Sequence, residues 1–292
     1  MKSPTYTMIV GSKACPNDCE LCISKMTPDY GIGLALPPVN WDRFETATRM
    51  ALAHGAENAL ITGKGEPTLY PGQVTQYLIR LKDKPFSARE IQTEGSQLAR
   101  GGLYNDFLTV WRELGLDTVA VSMYHYDMEK NQNLYRPRDG KFYDIPDLVD
   151  KLHEKDLNTR LSCVLMKGYV GDVDEVKNLI QFAKENKVFQ LTLRSTGQPE
   201  KSLDQRVADF VDAHTVSQEN LAAITEFLEK EGSFCYSLPH GANVYEVYGQ
   251  NVCMTTCMTT PERNEDKIRQ LIWFPQGWLT TSWENVQGGR LL

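Results

Sequence analysis

The chain has 292 residues, of which 41% are hydrophobic and 24% charged, and it carries a formal net charge of −7. This composition excludes disordered, collagen-like and low-complexity classes and suits one large α/β domain or two small ones. The excess of Asp and Glu leaves no general field to attract a nucleic-acid backbone, and no run approaches the ~18 apolar residues of a membrane span. The opening stretch Met1 to Val10 lacks the long apolar core of a secretion signal, so the expected compartment is the cytoplasm.

In chain order, a β-type run at residues 5–11 leads straight into a group of cysteines, and a Gly/Pro-bearing loop follows. Helical spacing of Phe44, Ala47, Met50 and Ala51 predicts a helix over 41–54. A short apolar strand at 59–62 comes next, and the alternation then repeats. Strands are predicted at 90–93, 118–123, 159–166 and 190–194, and helices at 72–81, 104–114, 145–154 and 172–186. Short apolar strands between helical patterns indicate parallel βαβ units around a buried sheet. Six such strands are too few to close an eight-stranded barrel, so the expected architecture is a partial (β/α)6 barrel of the TIM type. Its expected extent is residues 1–200. The remainder, 201–292, reads as a C-terminal extension with a helix at 215–231, a cysteine-bearing loop and an aromatic hairpin. In that hairpin, residues 268–274 and 278–283 flank the turn Pro275-Gln276-Gly277.

Seven cysteines require explanation: Cys15, Cys19, Cys22, Cys163, Cys235, Cys253 and Cys257. An odd number without a secretion signal argues against a disulfide framework. Cys15-Pro-Asn-Asp-Cys19-Glu-Leu-Cys22 is a C-x3-C-x2-C pattern just after a strand, and three close thiolates can converge on one polynuclear centre. A cubane held by three thiolates leaves one iron open for an exchangeable ligand. Zinc with a distant fourth ligand and three buried thiols are the alternatives, since no His precedes His54. Cys163 lies within a strand and reads as core.

The spacing Cys15-x3-Cys19-x2-Cys22 after the first strand resembles the signature of the radical S-adenosylmethionine enzymes. A second match stands at the end of the second strand. Gly63-Lys64-Gly65-Glu66-Pro67 resembles that family's Gly-Gly-Glu-Pro segment, with Lys64 interposed. The resemblance extends to about Ser195. Thr93-Glu94-Gly95 looks like the third strand end, Val119 to Met123 with Ser122 like the fourth, Leu161-Ser162 to Gly168 like the fifth, and Gln190 to Arg194 like the sixth. It implies a [4Fe–4S] cluster on Cys15, Cys19 and Cys22. It also implies S-adenosylmethionine held by Gly63, Gly65, Glu66, Pro67, Glu94, Ser122, Ser162 and Arg194. An electron donor such as flavodoxin or ferredoxin is the implied partner. The implied reaction is reductive cleavage of S-adenosylmethionine to a 5′-deoxyadenosyl radical, which takes hydrogen from a peptide or small-metabolite substrate. The acidic body weighs against a nucleic-acid substrate.

The fifth strand and the hairpin look most like the branch that cyclises GTP for the molybdenum cofactor, which makes a nucleotide rearrangement the enzymatic alternative. A cysteine that follows the turn in that branch is replaced here by the run Thr280-Thr281-Ser282, which counts against it. A non-catalytic metal-binding protein is the alternative from another class. Cys235, Cys253 and Cys257 are candidate ligands of an auxiliary iron–sulfur cluster. Tyr124, His125 and Cys235 are the catalytic candidates, and Arg136 with Arg138 is an expected anion-binding or simply solvated turn. The aromatic residues Trp273, Phe274, Trp278 and Trp283 are expected in core packing or as a cap over the open barrel.

Overall fold

Alternate residues of the central strands divide between two environments in the computed structural model, which describes residues 2–238, 241–255, 268–285 and 288–292. The first half contains β1 (Thr5–Ile9), α1 (Ile23–Met26), α2 (Trp41–Ala53), β2 (Asn58–Thr62), a 3-10 turn (Pro67–Leu69), α3 (Pro71–Leu81), β3 (Ala88–Thr93), α4 (Ser96–Ala99), α5 (Leu103–Glu113) and β4 (Thr118–Met123). Next come α6 (Met128–Tyr135), α7 (Ile145–Glu154), β5 (Asn158–Leu165), α8 (Val173–Glu185) and β6 (Gln190–Ser195). One face of each strand packs under the helices: Ile61, Ile91, Val119, Val121, Leu161, Leu193 and their neighbours are fully or nearly fully buried in the main core. The other face carries Thr7, Gln92, Ser122, Arg160, Ser162 and Arg194, so the barrel interior is unusually polar. This two-residue period follows from the pleat.

Helix starts are fixed locally. Asn40, Asp144, Asp172 and Ser217 each accept a hydrogen bond from the backbone N–H three residues on, at 3.0–3.2 Å. Pro71 and Pro146 stand in the first turn of α3 and α7, where a missing N–H has no cost.

The last third of the chain forms α9 (Gln205–Ala213), α10 (Gln218–Glu231), β7 (Gly232–Ser237), β8 (Asn243–Val247), β9 (Gln250–Thr255), β10 (Leu271–Phe274) and β11 (Trp278–Thr280). These strands extend both ends of the βα sheet, giving the order β11-β10-β1-β2-β3-β4-β5-β6-β9-β8-β7. β10 runs parallel to β1 and β9 parallel to β6. The parallel run is therefore β10, β1 to β6 and β9, matching a closed barrel in strand number but not in closure. β9 and β10 turn outward to antiparallel partners, β8 and β11, instead of pairing with each other. Across the seam Arg269 donates a hydrogen bond to the Thr255 hydroxyl at 3.2 Å.

The partial (β/α)6 barrel expected from the sequence is thus present, with an open sheet. Sequence periodicity did not predict β7 to β9, α6 or α9. The β8–β9 hairpin has a local signal, since Tyr248 and Gly249 both adopt positive φ, 53° and 83°, as a tight two-residue turn requires. α6 is short and polar, and α9 lies in a stretch to which the sequence reading assigns no element. No helix of the described residues is long and apolar enough to cross a membrane.

Candidate cluster site and ligand cavity

One cavity of about 280 Å³ opens at the C-terminal ends of β2 to β6. It is lined by Cys15, Cys19 and Cys22, by the whole segment Gly63–Pro67, and by Glu94, Ser122, Tyr124, Ser162 and Arg194. Residues from well-separated parts of the chain meet there because the strand ends of a βα barrel share one mouth. Ser122 and Ser162 are register partners on neighbouring strands, as are Val164 and Arg194.

The cysteine loop is held from two sides. On one side it abuts the end of β2: the N–H of Glu66 donates to the Ala14 carbonyl at 2.9 Å. A Cβ on Gly65 would lie 2.1 Å from that same oxygen, so only glycine lets the two motifs touch. On the other side the loop pairs with the end of α6. Asn17 forms a β-bridge with Pro137, the N–H of Asp18 donates to the Tyr135 and Arg136 carbonyls, and the N–H of Arg138 donates to the Pro16 carbonyl at 2.9 Å. Ion pairs reinforce this edge. Glu20 meets Arg136 and Arg206, and Asp18 meets Lys25 at 2.8 Å and Arg138 at 3.3 Å. Arg136 and Arg138, expected as an anion-binding or solvated turn, instead clamp the cysteine loop.

Glu66 and Glu94 form a buried acidic pair. Glu66 accepts from the Thr68 N–H and hydroxyl at 2.8 and 2.6 Å, from the Thr93 hydroxyl at 2.7 Å and from the Glu94 N–H at 2.9 Å. Three of these donors reach Oε1 and one reaches Oε2, so Glu66 ties the ends of β2 and β3 together. Glu94 accepts from the Asn17 amide at 2.8 Å and from Ser96, which links β3 to the cysteine loop. Burial first, and then the neighbouring Glu66, push the Glu94 carboxyl up to about 7. Burial likewise raises Glu66.

Burial also raises the Cys15 thiol and pushes Cys19 up to about 12. The Tyr124 hydroxyl sits against the Cys19 sulfur and partly offsets that shift. Metal binding at such thiols must displace protons, which makes it pH-dependent. Lys64 is 4% exposed, and burial brings its ammonium down to about 8.

The donor chemistry fits a polynuclear iron–sulfur centre. Cys15, Cys19 and Cys22 are free thiols of intermediate exposure on one wall of the cavity. Among the described residues, no three Cys, His, Asp or Glu side chains are grouped as ligands of a single ion would be. A cluster instead takes its thiolates on separate irons.

Of the catalytic candidates, Tyr124 lines the cavity. His125 is not among its lining residues: 1% exposed, it accepts from the Asp127 N–H at 2.8 Å through Nδ1 and faces Lys130 and Glu175 through Nε2. Burial, and then Lys130, hold it below the usual histidine range, so it acts as a neutral turn residue. Cys235 is exposed on β7, the sheet edge, and Cys253 is buried on β9 against Val244 and Ala242. The described residues bring neither into a three-ligand group, and Cys257 lies outside them. Cys163 is core.

Sequence reasoning missed several lining residues, including Thr27, Gln92, Gln270 and the segment 195–197. Trp283 alone of the hairpin aromatics reaches the cavity, while Trp273 and Phe274 are fully buried. Gln92 and Ser195 had the sequence signal of position at a strand end and Trp283 that of the aromatic hairpin, whereas Thr27 and Gln270 had none.

A family model described as the Radical SAM superfamily matches residues 9–183. No curated protein matches the chain. Among solved structures, Streptococcus suis SuiB bound to S-adenosylmethionine aligns with a TM-score of 0.56 and 16% identity, over 96% of this chain and 58% of that one. Methylornithine synthase (PylB) aligns with a TM-score of 0.54 and 16% identity, over 90% and 74%. The anSMEcpe structure with bound S-adenosylmethionine aligns with a TM-score of 0.55 and 13% identity, over 98% and 77%. These likenesses are of fold. The chain spans less than two thirds of the length of SuiB.

Proposed function

Because this chain belongs to the Radical SAM superfamily, whose cofactors are a [4Fe–4S] cluster and S-adenosylmethionine, we propose that Cys15, Cys19 and Cys22 hold the cluster and that the adjoining cavity binds S-adenosylmethionine with a substrate beside it. The observation that carries this reading is convergence: three thiols and the Gly63–Pro67 segment, 41 residues apart at their nearest ends, line one cavity. When bound, the two cofactors supply one-electron reductive chemistry that generates a carbon radical for hydrogen abstraction.

The protein's own residues do the binding and orienting. Gly65 lets the end of β2 pack directly on the backbone of the cysteine loop, so that the methionine end of the ligand meets the segment Gly63–Pro67 beside the thiols, and Glu66 holds that turn in place through Thr68 and Thr93. Glu94 and Ser122 stand further along the mouth as acceptors for ribose hydroxyls, with Ser162 and Arg194 across the strand ends. Leu60, Val164, Val211 and Trp283 supply apolar wall and exclude water from the space where hydrogen is transferred. Tyr124 shields Cys19. The proposed substrate class is a peptide or a small metabolite, and a flavodoxin- or ferredoxin-like protein is the proposed electron donor.

The test is 5′-deoxyadenosine formation by anaerobically reconstituted protein given reductant and S-adenosylmethionine, alone and with candidate substrates. Formation is expected from the wild-type chain. Ala at Cys15, Cys19 or Cys22 is expected to abolish both product and the visible absorbance of the cluster. Full activity of any one of the three variants overturns the assignment of that cysteine.

A further inference from the structure

Lys64 interrupts the glycine-rich turn at the end of β2 and turns its side chain inward. Its Nζ donates to the Thr27 hydroxyl at 2.9 Å and lies 5.6 Å from the ring centroid of Trp283. Among the described residues no carboxylate stands within ion-pairing distance. Asp29, an acidic neighbour acting on Lys64, pairs with Lys13 at 3.2 Å. A hydroxyl and an aromatic face solvate an ammonium group but do not neutralise it, and a buried charge without a counter-charge is costly. The chain retains that cost on the wall of the very cavity that holds the three thiols.

The charges around this cavity are segregated. Glu66 and Glu94 act on Cys15, whereas Lys64 has Cys22 as a neighbour whose negative form favours its charge. An anionic centre on the three cysteines is the missing counter-charge of Lys64. We propose that Lys64 is a positioning residue for charge, which raises the reduction potential of the cluster by stabilising its reduced, more negative form. The inference rests on the reading of Cys15, Cys19 and Cys22 as cluster ligands. One-electron reduction by an external donor adds one negative charge to the cluster. A fixed cation in a low-dielectric pocket favours that state more than the oxidised one.

The experiment is a dithionite titration of anaerobically reconstituted protein without substrate, following the reduced cluster by electron paramagnetic resonance. Lys64→Met and Lys64→Gln remove the charge, Lys64→Arg keeps it, and Thr27→Val removes the hydroxyl partner alone. At a fixed potential the reduced-to-oxidised ratio is expected to fall about tenfold in Lys64→Met and Lys64→Gln, equivalent to a midpoint about 59 mV lower for one electron. Lys64→Arg and Thr27→Val are expected to stay near the wild type. The proposal is overturned if the uncharged variants titrate like the wild type, or if Thr27→Val shifts as far as they do, since packing would then explain the effect. It is equally overturned if only the charged variants retain a cluster, because Lys64 would then hold the centre rather than tune it. A wild-type protein that loads no cluster overturns the cysteine assignment itself, a result distinct from a loaded cluster indifferent to Lys64.

Discussion

Glu94 is the residue whose chemistry the neighbourhood changes most usefully. Its folded-state carboxyl titrates at about 7 because it is buried beside Glu66, well above the ~4.3 of an exposed glutamate. A raised carboxyl favours folding at pH below the unfolded value and loses that contribution as pH rises through about 7. Thermal stability of the cluster-free wild type is therefore expected to fall between roughly pH 4 and 8, which spans both values, and Glu94→Gln is expected to lose less over the same range. Gly65 makes a steric prediction. Gly65→Ala places a methyl 2.1 Å from the Ala14 carbonyl, which should cost roughly 1–3 kcal/mol and impair cluster loading, both readable from denaturant unfolding and visible absorbance. Glycine at 65 was visible in the sequence as part of a motif, but its reason was not, because Ala14 lies 51 positions away. The same holds for Lys64: its identity is read at once, while its burial against Thr27 and Trp283 depends on two distant segments.

At the scale of elements, the six βα strands and the long helices were legible because each carries its own apolar period, as in Leu161, Cys163 and Leu165 on β5. Motifs contiguous in sequence were legible for the same reason of locality. The Arg136–Arg138 segment was not, since its partners Glu20 and Asp18 sit on a loop more than a hundred residues earlier. That clamp yields a prediction separating stability from cofactor retention. Exposed ion pairs contribute only ~0.2–1 kcal/mol each, so Glu20→Ala should barely move the unfolding midpoint. It releases both Arg136 and Arg206, however, and chelator-driven loss of the visible cluster absorbance is expected to be faster than in wild type.

On the scale of the molecule, the sheet is completed by strands that local periodicity could describe but not place. The hairpin of β10 and β11 was expected from its aromatic residues and its Pro275–Gly277 turn, whereas its parallel pairing with β1 depends on a contact across the whole chain. Trp273 anchors that contact. It is fully buried, packs edge-on against Phe44 at 5.5 Å and donates to the Tyr77 hydroxyl at 3.1 Å. Trp273→Ala should cost about 3–5 kcal/mol in denaturant unfolding, with β1 losing one of its two flanking strands.

The pairing of β1 with β10 also orders events in time. Thr7 on β1 bonds the Gln270 side chain 263 positions later at 2.8 Å, and the cysteine loop begins only a few residues after Thr7. Contacts of such long sequence separation form late, after nearer pairings have closed the intervening loops. A ribosome-bound chain that has emerged as far as β6 thus already displays every cysteine of the loop and every βα unit, while β1 still has a bare edge beside them. β1 gains its second flanking strand only once residues 271–273 have emerged and docked on it.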